Sequence, residues 1–140
     1  MKKARDVMTK DAQCIGATET LAKAARQMLE LDVGALPICG EDNRLAGIVT
    51  DRDIVLKVVA EDKDPRTTKA LEIASGRELV TIGADDSVAE AMRTMIDHKV
   101  RRLPVIDGRD LVGMVSMGDL ATALDEKDAG QLLEAISRAP

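Results

Sequence analysis

Residues 15–54 of this chain are written a second time as residues 82–120, and that duplication constrains the fold more than anything else in the sequence. Each copy ends in a glycine, a short apolar run, a hydroxyl residue and an aspartate. The first reads Gly47-Ile48-Val49-Thr50-Asp51-Arg52-Asp53-Ile54 and the second Gly113-Met114-Val115-Ser116-Met117-Gly118-Asp119-Leu120. Upstream, Ile15-Gly16-Ala17 matches Ile82-Gly83-Ala84, Met28 matches Met95, Val33 matches Val100, and Leu36-Pro37 matches Leu103-Pro104. A single residue is lost between Ile106 and Leu111 relative to Cys39 and Leu45, inside a polar stretch where a turn tolerates it. Such a repeat predicts two similar units packed about a pseudo-twofold axis, with function expected in paired clefts between them.

Periodicity fills in each copy. A short strand (Ala12–Ile15, then Leu79–Ile82) precedes a helix. Thr20 is the natural N-cap of the first helix, and Ser87-Val88-Ala89-Glu90 has the form of a capping box for the second. Two apolar strands then flank Gly40-Glu41-Asp42-Asn43 in one copy and Asp107-Gly108-Arg109-Asp110 in the other, which is hairpin grammar. A closing helix is predicted over 51–60 and 117–124, so each repeat reads β-α-β-β-α. The class is α/β (α+β), with the repeats packed sheet to sheet. The boundaries expected are a first repeat at 1–60, a charged linker at 61–68, a second repeat at 69–125 and a C-terminal helix within 126–140. That helix carries Leu132, Leu133 and Ile136 on one face, which asks for a cover.

Composition narrows the function. The 140 residues suffice for a hydrophobic core, whether one compact unit or two half-domains sharing it. No apolar run approaches the roughly 20 residues that span a bilayer, and no signal-like stretch opens the chain, so a cytoplasmic protein is expected. A net charge of -5 argues against general nucleic-acid affinity. The chain has no Phe, Tyr or Trp, which removes the stacking platform of oligonucleotide binders. Catalysis is not expected: there is one histidine, no nucleophile–base pair at recognisable spacing and no Walker-type glycine loop. His98, at a helix end with no second ligand at a useful spacing, reads as solvated surface rather than a metal ligand. Cys14 and Cys39 form neither a CxxC pair nor a zinc-finger spacing; they are two buried thiols or a disulfide.

The two β-α-β-β-α repeats, the Leu-Pro strand and the Gly-h-h-Thr/Ser-x-x-Asp ending together resemble a pair of CBS domains, the Bateman module. The resemblance spans essentially the whole chain. It implies a stand-alone regulatory protein, without a required cofactor, that binds an adenosine-containing ligand such as AMP, ADP, ATP or S-adenosylmethionine. Asp53 and Asp119 would hold the ribose, since a carboxylate accepts from both hydroxyls, with Thr50 and Ser116 supporting them. The alternative for all four is helix capping alone. In this family each cleft takes its facing wall from the other repeat. Val100, Arg101 and Arg102, with Val80 and Ile82 nearby, would face the Thr50/Asp53 cleft; Val33, Gly34 and Ala35 would face the Ser116/Asp119 cleft. The first wall is doubly cationic and suits phosphate, although Arg101 and Arg102 also suit a helix C-terminus as solvated charges. Adenine would lie between aliphatic side chains such as Ile48, Ile82 and Val100. In the same fold the strands bearing Cys14 and Cys39 are neighbours, which brings the cysteines within disulfide reach. Disc-like homodimers are general in the family, and a homodimer is expected here, with an unknown protein partner downstream. The competing reading is a structural or stress-response interaction protein with vestigial clefts.

Overall fold

The computed structural model describes residues 1–74 and 79–138. Residues 75–78 of the expected second repeat and 139–140 of the expected C-terminal segment lie outside them. The elements run α1 (Ala4–Val7), β1 (Thr9–Lys10), β2 (Ile15–Gly16), α2 (Leu21–Leu31), β3 (Ala35–Cys39), β4 (Leu45–Thr50) and α3 (Asp51–Ile54). A π-helical turn (Val55–Val59) extends α3. Then follow α4 (Ala70–Ala74), β5 (Ile82–Gly83), α5 (Val88–His98), β6 (Arg102–Asp107), β7 (Asp110–Ser116), α6 (Met117–Ala123) and α7 (Glu126–Ser137). The mixed α/β class read from the repeats is the observed one.

The compact units do not follow the repeat boundaries. Gln13–Leu79 forms one unit; Met1–Ala12 joins Val80–Pro140 in the other. The segment preceding each repeat therefore serves the other repeat's unit, and the hydrogen bonds show why. A helix leaves its first N–H groups without intrahelical partners. In the Gln13–Leu79 unit, the Leu21 and Ala22 N–H groups of α2 donate to the carbonyls of Thr68 and Pro65, at 2.9 Å each. In the other unit, the Val88 N–H of α5 donates to the Lys2 carbonyl at 3.1 Å. Lys69 and Lys3 make matching isolated bridges to the N-caps Thr20 and Ser87. Within the stretch between the repeats, Thr68 is buried and its hydroxyl donates to the Asp64 carbonyl at 2.8 Å.

The Gln13–Leu79 unit has a three-stranded sheet, β2-β3-β4, with β2 parallel and β4 antiparallel to β3. Its core gathers Ile15, Leu21, Ala24, Met28, Leu36, Ile38, Val49 and Val58, with Ala70, Ile73 and Ala74 from α4. The other unit has a four-stranded sheet, β1-β7-β6-β5, in which the N-terminal β1 lies antiparallel to β7. Its core gathers Ala4, Val88, Ala91, Met95, Leu103, Val105, Val115 and Leu120 with Leu132 and Ile136. Each unit has its own core, and Met28 and Met95 are buried at matching places in them.

Several local expectations need correction. The leading strands pair over only two residues, Ile15–Gly16 and Ile82–Gly83; in the first copy the Cys14 carbonyl instead accepts from the Gln27 side chain at 3.3 Å. Ser87 Oγ accepts from the Glu90 N–H at 3.1 Å, but the return half of that capping box is not made. The helix expected over 51–60 changes from α to π after Ile54. The apolar face of α7 splits: Leu132 and Ile136 are buried in the core of their own unit, while Leu133 is exposed.

Candidate functional site

Each unit presents one strand-to-helix turn where the repeat motif ends, and the two turns are built alike. At the end of β4, Thr50 Oγ1 accepts from the Asp53 N–H at 3.1 Å, and Asp53 Oδ2 accepts from the Thr50 N–H at 2.9 Å. At the end of β7, Ser116 Oγ accepts from the Asp119 N–H at 3.1 Å, and Asp119 Oδ2 accepts from the Ser116 N–H at 2.9 Å. These are reciprocal capping boxes, so helix capping is one job of all four residues. It uses one oxygen of each carboxylate and leaves the second, with its lone pairs, for another donor.

The turns differ at that second oxygen. Lys57 Nζ lies 3.5 Å from Asp53 Oδ1 and also 3.5 Å from the Ile73 carbonyl oxygen, and Asp53 is only 5% exposed. Four residues beyond Asp119 stands Ala123, which carries no charge. Among the described residues Asp119 Oδ1 has no hydrogen-bond partner, and the residue is half-buried. Sequence reasoning passed over Lys57, although its i,i+4 spacing from Asp53 was a legible signal.

The expected wall residues fall beside these turns within each unit. In the Gln13–Leu79 unit, the Asp51 N–H donates to the Gly34 carbonyl at 2.9 Å, and Ala35 lies opposite Thr50 in the ladder, with Val33 exposed just before. In the other unit, the Met117 N–H donates to the Arg101 carbonyl at 2.8 Å, and Arg102 lies opposite Ser116. The cationic pair is therefore a near neighbour of the Ser116/Asp119 turn. Arg101 is exposed and Arg102 half-buried. Ile82 is packed into the core and offers little surface, whereas Val100 and Ile48 are half-buried. Cys14 and Cys39 are joined in a disulfide with a Cα–Cα distance of 5.6 Å, because β2 runs beside β3. His98 is exposed at the last position of α5.

Two matching units, each closing a hairpin strand into a helix through a hydroxyl–aspartate box, define a tandem repeat of one small domain. The chain belongs to the CBS-domain family, whose model matches residues 4–60 and 72–126. It is 46% identical to Hypoxic response protein 1 of Mycobacterium tuberculosis over 136 residues, covering 97% of this chain and 94% of that protein. A crystal structure of Hypoxic Response Protein I with two coordinated zinc ions aligns with a TM-score of 0.81 and 46% identity, over 88% of this chain and 99% of that one. The crystal structure of CBSX2 in complex with AMP shares the fold, with a TM-score of 0.72 and 22% identity over 88% and 96% of the two chains. Among the described residues no group of three or more His, Cys, Asp or Glu is placed to hold a metal ion. Among them, too, no helix is long and apolar enough to cross a membrane.

Proposed function

We propose that this protein is a non-catalytic regulatory CBS pair that binds an adenosine nucleotide and passes its state to a partner. Asp53 and Asp119 are assigned to ribose, with Thr50 and Ser116 supporting them, and Arg101 and Arg102 to phosphate. The observation that carries the reading is the duplicated carboxylate at a strand-to-helix turn, with only one of its oxygens used by the cap. The AMP held by CBSX2, a protein of the same fold, supports the ligand class. Without an aromatic ring to stack on, adenine rests on aliphatic side chains, and modest affinity follows.

Calorimetry with AMP, ADP, ATP and S-adenosylmethionine tests the assignment, alongside a thermal-shift screen, since a ligand that binds only the native state raises apparent stability. Loss of a hydrogen bond to a charged group costs about 1.5–3 kcal/mol, so removal of a ribose carboxylate should weaken binding roughly ten- to a hundredfold. Absence of heat with all four compounds at millimolar concentration refutes the reading. It would leave an interaction protein kin to a hypoxic response factor, with its carboxylates serving as caps.

We also propose a homodimer. Leu29, Val55, Leu56, Val59 and Leu133 are exposed, and association would cover such residues. Light scattering that returns the 15.0 kDa of one chain at micromolar concentration overturns this assignment.

A further inference from the structure

The first repeat carries a disulfide and the second does not, yet both pair their strands alike. Thr81 and Ile106 stand where Cys14 and Cys39 stand in the first copy. Gly83 nevertheless pairs with Ile106 as Gly16 pairs with Cys39, both in parallel. The next backbone bond also matches: the Ala84 N–H donates to the Ile106 carbonyl at 2.9 Å, and the Ala17 N–H to the Cys39 carbonyl at 3.0 Å. The disulfide therefore adds a covalent tie to a ladder that backbone bonds make without it. Its place in the chain is particular. The chain passes from one compact unit to the other between Ala12 and Gln13, and Cys14 is the second residue beyond that crossing. Cys14 precedes β2 and lies outside the ladder, its carbonyl accepting from the Gln27 side chain at 3.3 Å. The two ends of the bond differ in access, Cys39 being 4% exposed and Cys14 half-buried.

We propose that Cys14–Cys39 is a site of thiol–disulfide exchange with a low-molecular-weight thiol. Cys14 is the sulfur attacked and Cys39 the sulfur released, and opening the bond unties the crossing segment while the sheet stays paired. Exchange needs access to the sulfur under attack, which half-buried Cys14 offers and buried Cys39 does not. An external thiolate bonds to Cys14 Sγ, the S–S bond breaks, and Cys39 leaves as a thiolate that takes up a proton. A second external thiolate attacks the external sulfur of this mixed disulfide, and Cys14 departs in the same way. Two thiols are thereby oxidised to one disulfide, while the protein bond gains two electrons and two protons. In reverse, an oxidised small-molecule disulfide loads Cys14, and the Cys39 thiolate displaces the load to close the bond again.

The test uses the intact protein, with reduced and oxidised glutathione as probes and mass spectrometry as readout; Cys14 and Cys39 fall in separate tryptic peptides, 11–23 and 27–44. Reduced glutathione should open the bond in the native protein, with the far-UV circular dichroism retained. In the reduced parent, brief alkylation should label Cys14 about tenfold or more faster than Cys39, because thiol reactivity follows exposure. With oxidised glutathione, Cys39→Ser should hold one glutathione on Cys14, whereas Cys14→Ser should stay unmodified until denaturant is added. Cleavage of the native chain by trypsin after Lys10, just ahead of the crossing, should speed about fivefold or more on reduction, since it reports local opening there. Cleavage after Arg93, in α5 of the other unit, should hold its rate and so exclude global unfolding as the cause. A bond that glutathione opens only in denaturant, loss of the circular dichroism on reduction, faster labelling of Cys39 than of Cys14, or unchanged cleavage after Lys10 each overturns the inference. None of these outcomes touches the nucleotide reading.

Discussion

Replacing Gly113 by alanine tests the exchanged N-terminal segment where it matters most. A Cβ at this position would lie 2.6 Å from Met8 Sδ, 2.6 Å from the Thr9 carbonyl oxygen and 3.0 Å from Met8 Cγ. Met8 can swing aside, but Thr9 belongs to β1, which is held in register by Thr9 opposite Met114 and Lys10 opposite Gly113. The strand itself must therefore move. Overpacking of this kind costs about 1–3 kcal/mol. Gly113 is not in the left-handed region, so alanine also stiffens the unfolded chain, worth about 0.4–1 kcal/mol in the opposite direction. The net expectation is a loss of about 1–2 kcal/mol. The matched glycine of the other repeat supplies the control. A Cβ at Gly47 would meet only side chains, Ala74 Cβ at 3.1 Å and Ile38 Cδ1 at 3.7 Å, so Gly47→Ala should be nearly neutral. Guanidinium melts followed by far-UV circular dichroism measure both. Amide exchange adds a local readout, because the Asp11 N–H that donates to the Val112 carbonyl at 3.3 Å should exchange faster in Gly113→Ala. If Gly113→Ala is as stable as the parent, or Gly47→Ala is the more damaging change, the packing of residues 1–12 against β7 is wrong.

Removing the Cys14–Cys39 disulfide, which closes a span of 25 residues, should cost about 3 kcal/mol on the loop-entropy account, so dithiothreitol should lower the melting midpoint of the parent and leave Cys14→Ser/Cys39→Ser unchanged. On α7, Ile136→Ala should cost about 2–5 kcal/mol, whereas Leu133→Ala should fall within about 0.5 kcal/mol of the parent; equal losses in chemical denaturation would contradict the observed face of the helix. Arg5 Nε donates to Asp85 Oδ1 at 2.8 Å, and that bond holds the Asp85 carboxyl below its ordinary 3.8. Because the folded-state value is depressed, the stability this contact contributes is present above about pH 4 and lost as pH falls through the folded-state value. Parent and Arg5→Ala should accordingly converge in acid, and in high salt at neutral pH, when their denaturation midpoints are compared.

Much of the fold was legible because the chain states it twice. Two registered copies fixed which apolar positions correspond, and Met28 and Met95 occupy corresponding buried places as that register requires. Hydroxyl residues ahead of amphipathic runs marked helix starts, and Thr20 and Ser87 both cap. The candidate site was legible at the level of residue type: a hydroxyl and an aspartate three apart at the end of each motif, found here as two reciprocal boxes. Cys14, just ahead of β2, and Cys39, at the end of β3, come within disulfide reach as the family resemblance implied, because β2 pairs with β3.

What escaped it depends on long-range pairing. No local pattern announces that α1 and β1 serve the unit of the second repeat while α4 serves that of the first; the choice is made by which carbonyls reach the open N–H groups of α2 and α5. The α7 face looked like a uniform stripe of Leu132, Leu133 and Ile136, yet the surface it packs on admits only the first and last. Most consequentially, identical capping motifs promise identical sites, and the promise fails at the fourth residue beyond each aspartate. Lys57, four residues beyond Asp53, lies 3.5 Å from its second oxygen, whereas uncharged Ala123 stands four residues beyond Asp119. Sequence by itself determined the repeat, the class and the chemistry of the turns, because these follow from residue types at short spacing. Tertiary structure alone decided which segment completes which unit, because that depends on where distant backbone comes to rest.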